Sequence, residues 1–339
     1  MTKTTRRDLF SLATGAASFL AAGPSSARWD DTVRYPDPAF EILDPSFAKY
    51  RLDAGAVERL WTGARWSEGP VWMADQRCLI WSDIPNDRTL RWQESTGQVD
   101  EFQKPAGYPN GHTRDRQGRL LTCEHGGRRV TRLEPDGSLT VIADRFDDKR
   151  LNSPNDIVCK SDGSIWFTDP PFGILGNYEG DAAPQELPTN VYRVDGRDGR
   201  IAIVTGDVGR PNGLAFSPDE SLLYVVEAAA NPRVIRVFDV VDDGTRLANN
   251  RIFIQAQPGE RPDGFRLDVD GNLWCGWGMS EAFDGVRIFD KTGKAIGHIH
   301  LPERCPNVAF GGRKRNRLFM AASKSLYAAY VNTQGVAGG

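Results

Sequence analysis

From about residue 56 onward, short runs rich in apolar and β-branched residues alternate with polar turns built on Gly, Asp, Asn and Pro, and no apolar stripe of helical period interrupts them. One junction recurs at the head of such runs: SEGPVWM at Glu68, PNGHTRD at Asn110, PNDIVCK at Asn155, PNGLAFS at Asn212, PDGFRLD at Asp263 and PNVAFGG at Asn307, spaced 42, 45, 57, 51 and 44 residues apart. Spacings of this size mark stacked copies of one supersecondary unit. A polar turn and a second run follow each junction, as in SDGSIWFTDP and VDGNLWCGWG, which is hairpin chemistry. Third and fourth runs come next, such as NVYRVD and IAIVTG. Four short antiparallel strands, six times over, predict an all-β fold, a six-bladed β-propeller; a sandwich would need no sixfold junction. The last unit ends after SLYAAYV, while a spare run, AVERLW at 56–61, precedes the first junction. The ring is therefore expected to close through N- and C-terminal strands sharing one blade.

In a propeller the first strand of each blade lines the central channel. The six junction residues thus converge on one rim, and the second strands return to it carrying Asp83, Glu124, His125, Asp169, Glu227 and Trp277. A single such Asn or Asp is explained as a turn former. Six in register on one axis call for more, because two carboxylates, Glu68 and Asp263, buried among amides cost several kcal/mol unless a cation compensates them. The set Glu68, Asn155, Asn212 and Asp263 is all oxygen, two charged and two neutral. It suits calcium, magnesium or manganese better than zinc, and it leaves positions open for water or substrate.

Composition and charge narrow the partners. The 339 residues are 40% hydrophobic and 26% charged, with a net charge of −3 and no Lys/Arg-dense segment, so nothing offers a footprint for nucleic acid or an anionic membrane. No obligate protein partner is evident. At the N-terminus, TTRRDLF is followed by an uncharged apolar run at 9–22 and by Ser25, Ser26 and Ala27, the pattern of a twin-arginine export signal cleaved after Ala27. That run is too short for a membrane span. The expected organisation is a signal at 1–27, an extended arm packed on the propeller at 28–55, and the propeller at 56–339, in the periplasm. Five cysteines are scattered singly, without the C-x-x-C spacing of zinc or redox sites, and read as buried small hydrophobes. No phosphate loop, G-x-S-x-G elbow or H-E-x-x-H occurs. His112, inside a first strand, reads as structural. His298 and His300, alternating in an outer strand, are expected to face solvent or a neighbouring blade.

The motifs WSEGPVW, LNSPNDIV with DGSIWFTDP, RPNGLAFSPD and RPDGFRLDVDGNLW together resemble the SMP-30/gluconolactonase/LRE-like family, over nearly all of 56–331. The resemblance implies a six-bladed propeller with metal ligands at Glu68, Asn155, Asn212 and Asp263, and substrate-facing residues at Asn110 and Glu124. Relatives of the animal sugar-lactonase type carry an Arg two residues before that Asn; here the position is Tyr108, so substrate specificity does not transfer. The implied activity is hydrolysis of an aldonolactone by a divalent metal, calcium favoured. Asp263 or a neighbouring rim carboxylate accepts the proton of the attacking water, and Asn110, Glu124 and His125 bind sugar hydroxyls. A phosphotriesterase-like hydrolase or a non-catalytic binding propeller with a structural metal are the alternatives. The insert 172–190, between two strands of its blade, is expected at this rim as part of a lid.

Overall fold

The computed structural model describes residues 34–337. The export-signal reading of 1–27 lies outside the described residues. The repeats form six four-stranded antiparallel sheets whose first strands touch in cyclic order, the sixth meeting the first: a six-bladed β-propeller. Blade three shows the plan, with strands Ile157–Cys159, Ile165–Asp169, Asn190–Val194 and Ile201–Thr205 running outward from the axis, each antiparallel to the last. Among the described residues helix is confined to short 3-10 turns, as the missing helical stripe predicts.

Blade six closes the ring. Its strands Asn307–Gly311, Arg317–Ala321 and Ser325–Tyr330 come from the end of the chain, and the outer one, Glu58–Thr62, comes from the beginning. The closing register runs from Glu58 opposite Ala328 to Thr62 opposite Ser325. Before it, Phe40–Ile42 adds a fifth strand to the outer edge of blade five. A 3-10 turn, Pro45–Tyr50, is capped by the Asp44 carboxylate accepting the Ser46 N–H at 3.0 Å. It lays Phe47 and Tyr50 against Trp274.

The core is six apolar clusters, each shared by two adjacent blades. This explains why the second strands are buried along nearly their whole length: alternate side chains point to opposite faces, and both faces are covered. In blade one Leu79 and Trp81 pack toward blade six, while Cys78 and Ile80 pack toward blade two. The five cysteines are buried and unpaired in these layers.

The junction glycines let the first strands crowd at the axis. A Cβ on Gly69, which has φ +52°, would stand 2.0 Å from the Asn110 carbonyl oxygen, and one on Gly111 would stand 2.5 Å from that of Asn155. In blade three Asp156 takes the glycine position. Its carboxylate crosses the channel to Arg266 of blade five, 3.5 Å away, and both residues are buried.

Candidate active site

Five of the six junction residues, Glu68, Asn110, Asn155, Asn212 and Asp263, meet in an open cleft of ≈ 970 Å³ at one end of the channel. Backbone bonds fix their aim. Asn155 donates its N–H to the Thr168 carbonyl (2.9 Å) on its own blade and accepts the Gly111 N–H (2.8 Å) from the preceding one. The sixth, Asn307, stays outside the cleft lining; its amide oxygen accepts the Val308 N–H at 2.8 Å. The insert supplies one wall through Phe172, Leu175, Gly176, Tyr178 and Glu179, as expected of an element at this rim. Leu175 and Tyr178 are largely exposed.

Glu68 and Asp263 are both buried. Burial, followed by the charges of Asp263 and Asp156, raises the Glu68 carboxyl well above its usual range, against the opposing Gly69 N–H and Asn307 side chain. Burial also raises Asp263, opposed by the guanidiniums of Arg304 and Arg233 and by the Asn212 amide. Asn212 donates its Nδ2 to the Asp263 carboxylate at 2.6 Å, leaving its own oxygen without a donor among the described residues. Glu179 is pushed up to about 6, mainly by burial and then by the Asp263 charge. Two desolvated carboxylates that repel each other, with two amides at the same rim, match the donor chemistry of a hard divalent cation. Among the described residues no cluster of three His, Cys, Asp or Glu side chains could hold an ion, so the fit depends on the amide oxygens.

Asn110 and His125 form a layered pair. The Asn110 Nδ2 lies 3.0 Å from His125 Nε2, and His125 Nδ1 lies 3.2 Å from the Glu179 carbonyl, so the ring accepts from the amide and donates to the insert. Burial lowers its pKa to about 4 and keeps it neutral. His125 is fully buried behind Asn110 instead of lining the cleft. Glu124 is not brought into the cleft either. Its carboxylate accepts from Arg129 Nε and Thr131 Oγ1, both at 2.7 Å, and only 2% of the residue is exposed. His112 is buried between Ser82 Oγ (2.9 Å) and Thr122 Oγ1 (3.0 Å). His298 is buried, and His300 meets Glu41 of the added strand.

Four lining residues carried no signal in the repeat: Trp66, Glu179, Arg233 and Arg304. Arg304 lies between Pro302 and Pro306, three residues before a junction Asn, an offset at which only the first unit also carries an arginine, Arg65. It binds the Asp263 carboxylate and lies over the Trp66 ring, 5.2 Å from its centroid.

A family model described as the SMP-30/gluconolactonase/LRE-like region matches residues 66–324. A gluconolactonase of Zymomonas mobilis is 33% identical over 314 residues, covering 84% of this chain and 85% of that one. A pentonolactonase of Haloferax volcanii is 30% identical over 272 residues, covering 77% and 83%. Among solved structures, a gluconolactonase of Xanthomonas campestris is similar with a TM-score of 0.80 at 38% identity, covering 86% of this chain and 94% of that one.

Proposed function

The chain belongs to the SMP-30/gluconolactonase/LRE-like family, and from that premise we propose that it hydrolyses a sugar lactone with the help of a divalent cation held by Glu68, Asn155, Asn212 and Asp263. The observation that supports this most directly is the pair of buried carboxylates facing the same open cleft as two amides. Calcium is the preferred ion for an all-oxygen set of this charge. When bound, such an ion supplies Lewis acidity toward a carbonyl oxygen and lowers the pKa of water.

The protein's own groups account for the rest. Asn110, fixed by His125, offers an amide to a substrate hydroxyl, and the wall formed by Phe172 and Tyr178 covers the sugar face and limits water. Asp263, held in place by Asn212 on one oxygen and Arg304 on the other, takes the proton of the attacking water, and burial raises its basicity. Water adds to the acyl carbon, the ring C–O bond breaks, and the released alkoxide takes up a proton to give the open hydroxy acid.

The test is acid release from a panel of aldonolactones before and after chelation. Turnover is expected to fall about 100-fold or more on chelation and to return with added calcium, magnesium or manganese. Undiminished turnover in chelator would remove the cation from the scheme; no turnover of any lactone in the loaded protein would remove the activity. We further propose export through the segment 1–27, on the strength of its paired arginines and small-residue cleavage pattern. Substituting Arg6 and Arg7 by Lys should then retain the protein in the cytoplasm.

A further inference from the structure

Two cationic side chains reach the cleft, and only one has a role in the scheme above. Arg304 enters from the loop before blade six and is occupied by Asp263 and Trp66. Its aliphatic part packs where Gly278 leaves room: a Cβ there would stand 2.5 Å from Arg304 Cγ. Arg233 enters just before the third strand of blade four and is half-buried. The one hydrogen bond of its side chain among the described residues goes to the Pro262 carbonyl at 3.3 Å, and no carboxylate among them lies within ion-pair distance. Burial lowers its pKa; the charge of Asp263 opposes this, and Arg304, Arg261 and Arg210 add like charge around it.

The charges facing the cleft are three carboxylates, Glu68, Asp263 and Glu179, and two guanidiniums. The cation proposed above takes up the charges of Glu68 and Asp263. Arg304 is the cation that acts on Glu179. With the Asp263 charge taken up by that cation, Arg233 keeps no carboxylate paired to it in a partly desolvated wall crowded by other arginines, an arrangement that is costly until an anion arrives. A guanidinium presents a planar fork of donors matched to an oxyanion, whereas a neutral sugar hydroxyl needs only an amide of the kind Asn110 provides.

Building on the lactonase reading, we propose that the preferred substrate is a lactone bearing an anionic oxyacid substituent, which Arg233 receives at the wall of the cleft. The class comprises carboxylate-, sulfonate- and phosphate-bearing sugar lactones, in contrast to the neutral aldonolactones.

The test compares kcat/KM for glucono-δ-lactone, glucaro-1,4-lactone and 6-phosphoglucono-δ-lactone in the wild type, Arg233→Gln and Arg233→Lys. A charge-assisted contact predicts a ratio of charged to neutral substrate of about tenfold or more in the wild type. That ratio should fall toward unity in Arg233→Gln through a rise in KM for the charged lactone, be partly kept in Arg233→Lys, and shrink with added salt. Which charged lactone leads separates a carboxylate from a phosphate group. A wild-type ratio below one, or one unchanged in Arg233→Gln, overturns the proposal. A readout independent of turnover is thermal stabilisation by the ring-opened diacid relative to gluconate. If this persists and depends on Arg233 while no lactone is hydrolysed, the lactonase reading fails and the anion site stands. If hydrolysis is seen without that preference, the anion site fails and the lactonase stands.

Discussion

His112 shows how a single side chain can carry a pH dependence without belonging to the chemistry. Enclosed between Ser82 and Thr122, it is fully buried, and burial lowers its pKa from the ordinary 6.5 to about 3. The unfolded chain therefore binds a proton that the folded chain refuses, and the stability this residue contributes is complete above pH 6.5 and lost as pH falls toward 3. At pH 5 the loss is about 2 kcal/mol. Urea denaturation of the wild type and His112→Gln should show the wild-type advantage shrinking by about that amount between pH 7 and pH 5; a constant difference would mean that the ring is protonated in the fold. At this scale the sequence was most informative where backbone position dictates side-chain direction. Glu68, Asn155, Asn212 and Asp263 sit at the head of first strands, and that alone aims them at the axis. Arg233 and Arg304 were illegible because their place in the cleft depends on how loops of separate blades meet, which no spacing encodes.

The second-strand ends show the same lesson at the level of the element. Asp83, Glu124, Asp169 and Glu227 look like a ring of rim acids, yet three of them hold the loop that enters their own blade. Asp83 accepts the Arg65 N–H at 2.9 Å, Asp169 accepts those of Asn152 and Ser153 at 2.8 and 2.9 Å, and Glu227 accepts that of Gly209 at 3.1 Å. Glu124 fills the matching space against Gly107, where a Cβ would stand 2.6 Å from its carboxylate. In three blades a third-strand arginine completes the unit: Arg88 with Asp83, Arg129 with Glu124 and Arg236 with Glu227. The repeat that made Glu124 conspicuous is a repeat of loop anchoring, so its recurrence across blades was the available sign of a structural role. Asp83→Ala leaves the Arg65 N–H, Asn86 Nδ2 and Arg88 Nε without their acceptor and should cost about 3 kcal/mol in chemical denaturation. Because that loop carries Trp66 and leads directly into Glu68, cation affinity should weaken in parallel. A loss of stability below about 1 kcal/mol would show that the anchor is dispensable.

For the whole molecule the decisive feature is that both ends of the chain meet in one blade. Most blade neighbours are consecutive in sequence, so their interfaces can assemble locally; the pairing of Glu58–Thr62 with Ser325–Tyr330 joins residues some 260 apart and converts an open arc into a ring, whereas the equally distant pairing of Phe40–Ile42 adds an edge strand to blade five. The spare run before the first junction made this closure readable, since a sixth blade one strand short needs a partner from elsewhere. The cleft depends on it too, because Glu68 of blade one and Asp263 of blade five come to one rim only when blade six stands closed between them. Thr62 and Ser325 face each other across the closing pair, their hydroxyls 3.1 Å apart. Replacing both with Cys should allow a disulfide that cross-links a very long loop of the unfolded chain, with an expected stabilisation of about 3–5 kcal/mol. The unfolding midpoint of the oxidised double variant should rise above that of its reduced form, and the oxidised protein should retain its cation affinity and cleft chemistry. If oxidation leaves the midpoint unchanged although the bond has formed, the ends are not released during unfolding, and the closing strand pair is not where the ring opens.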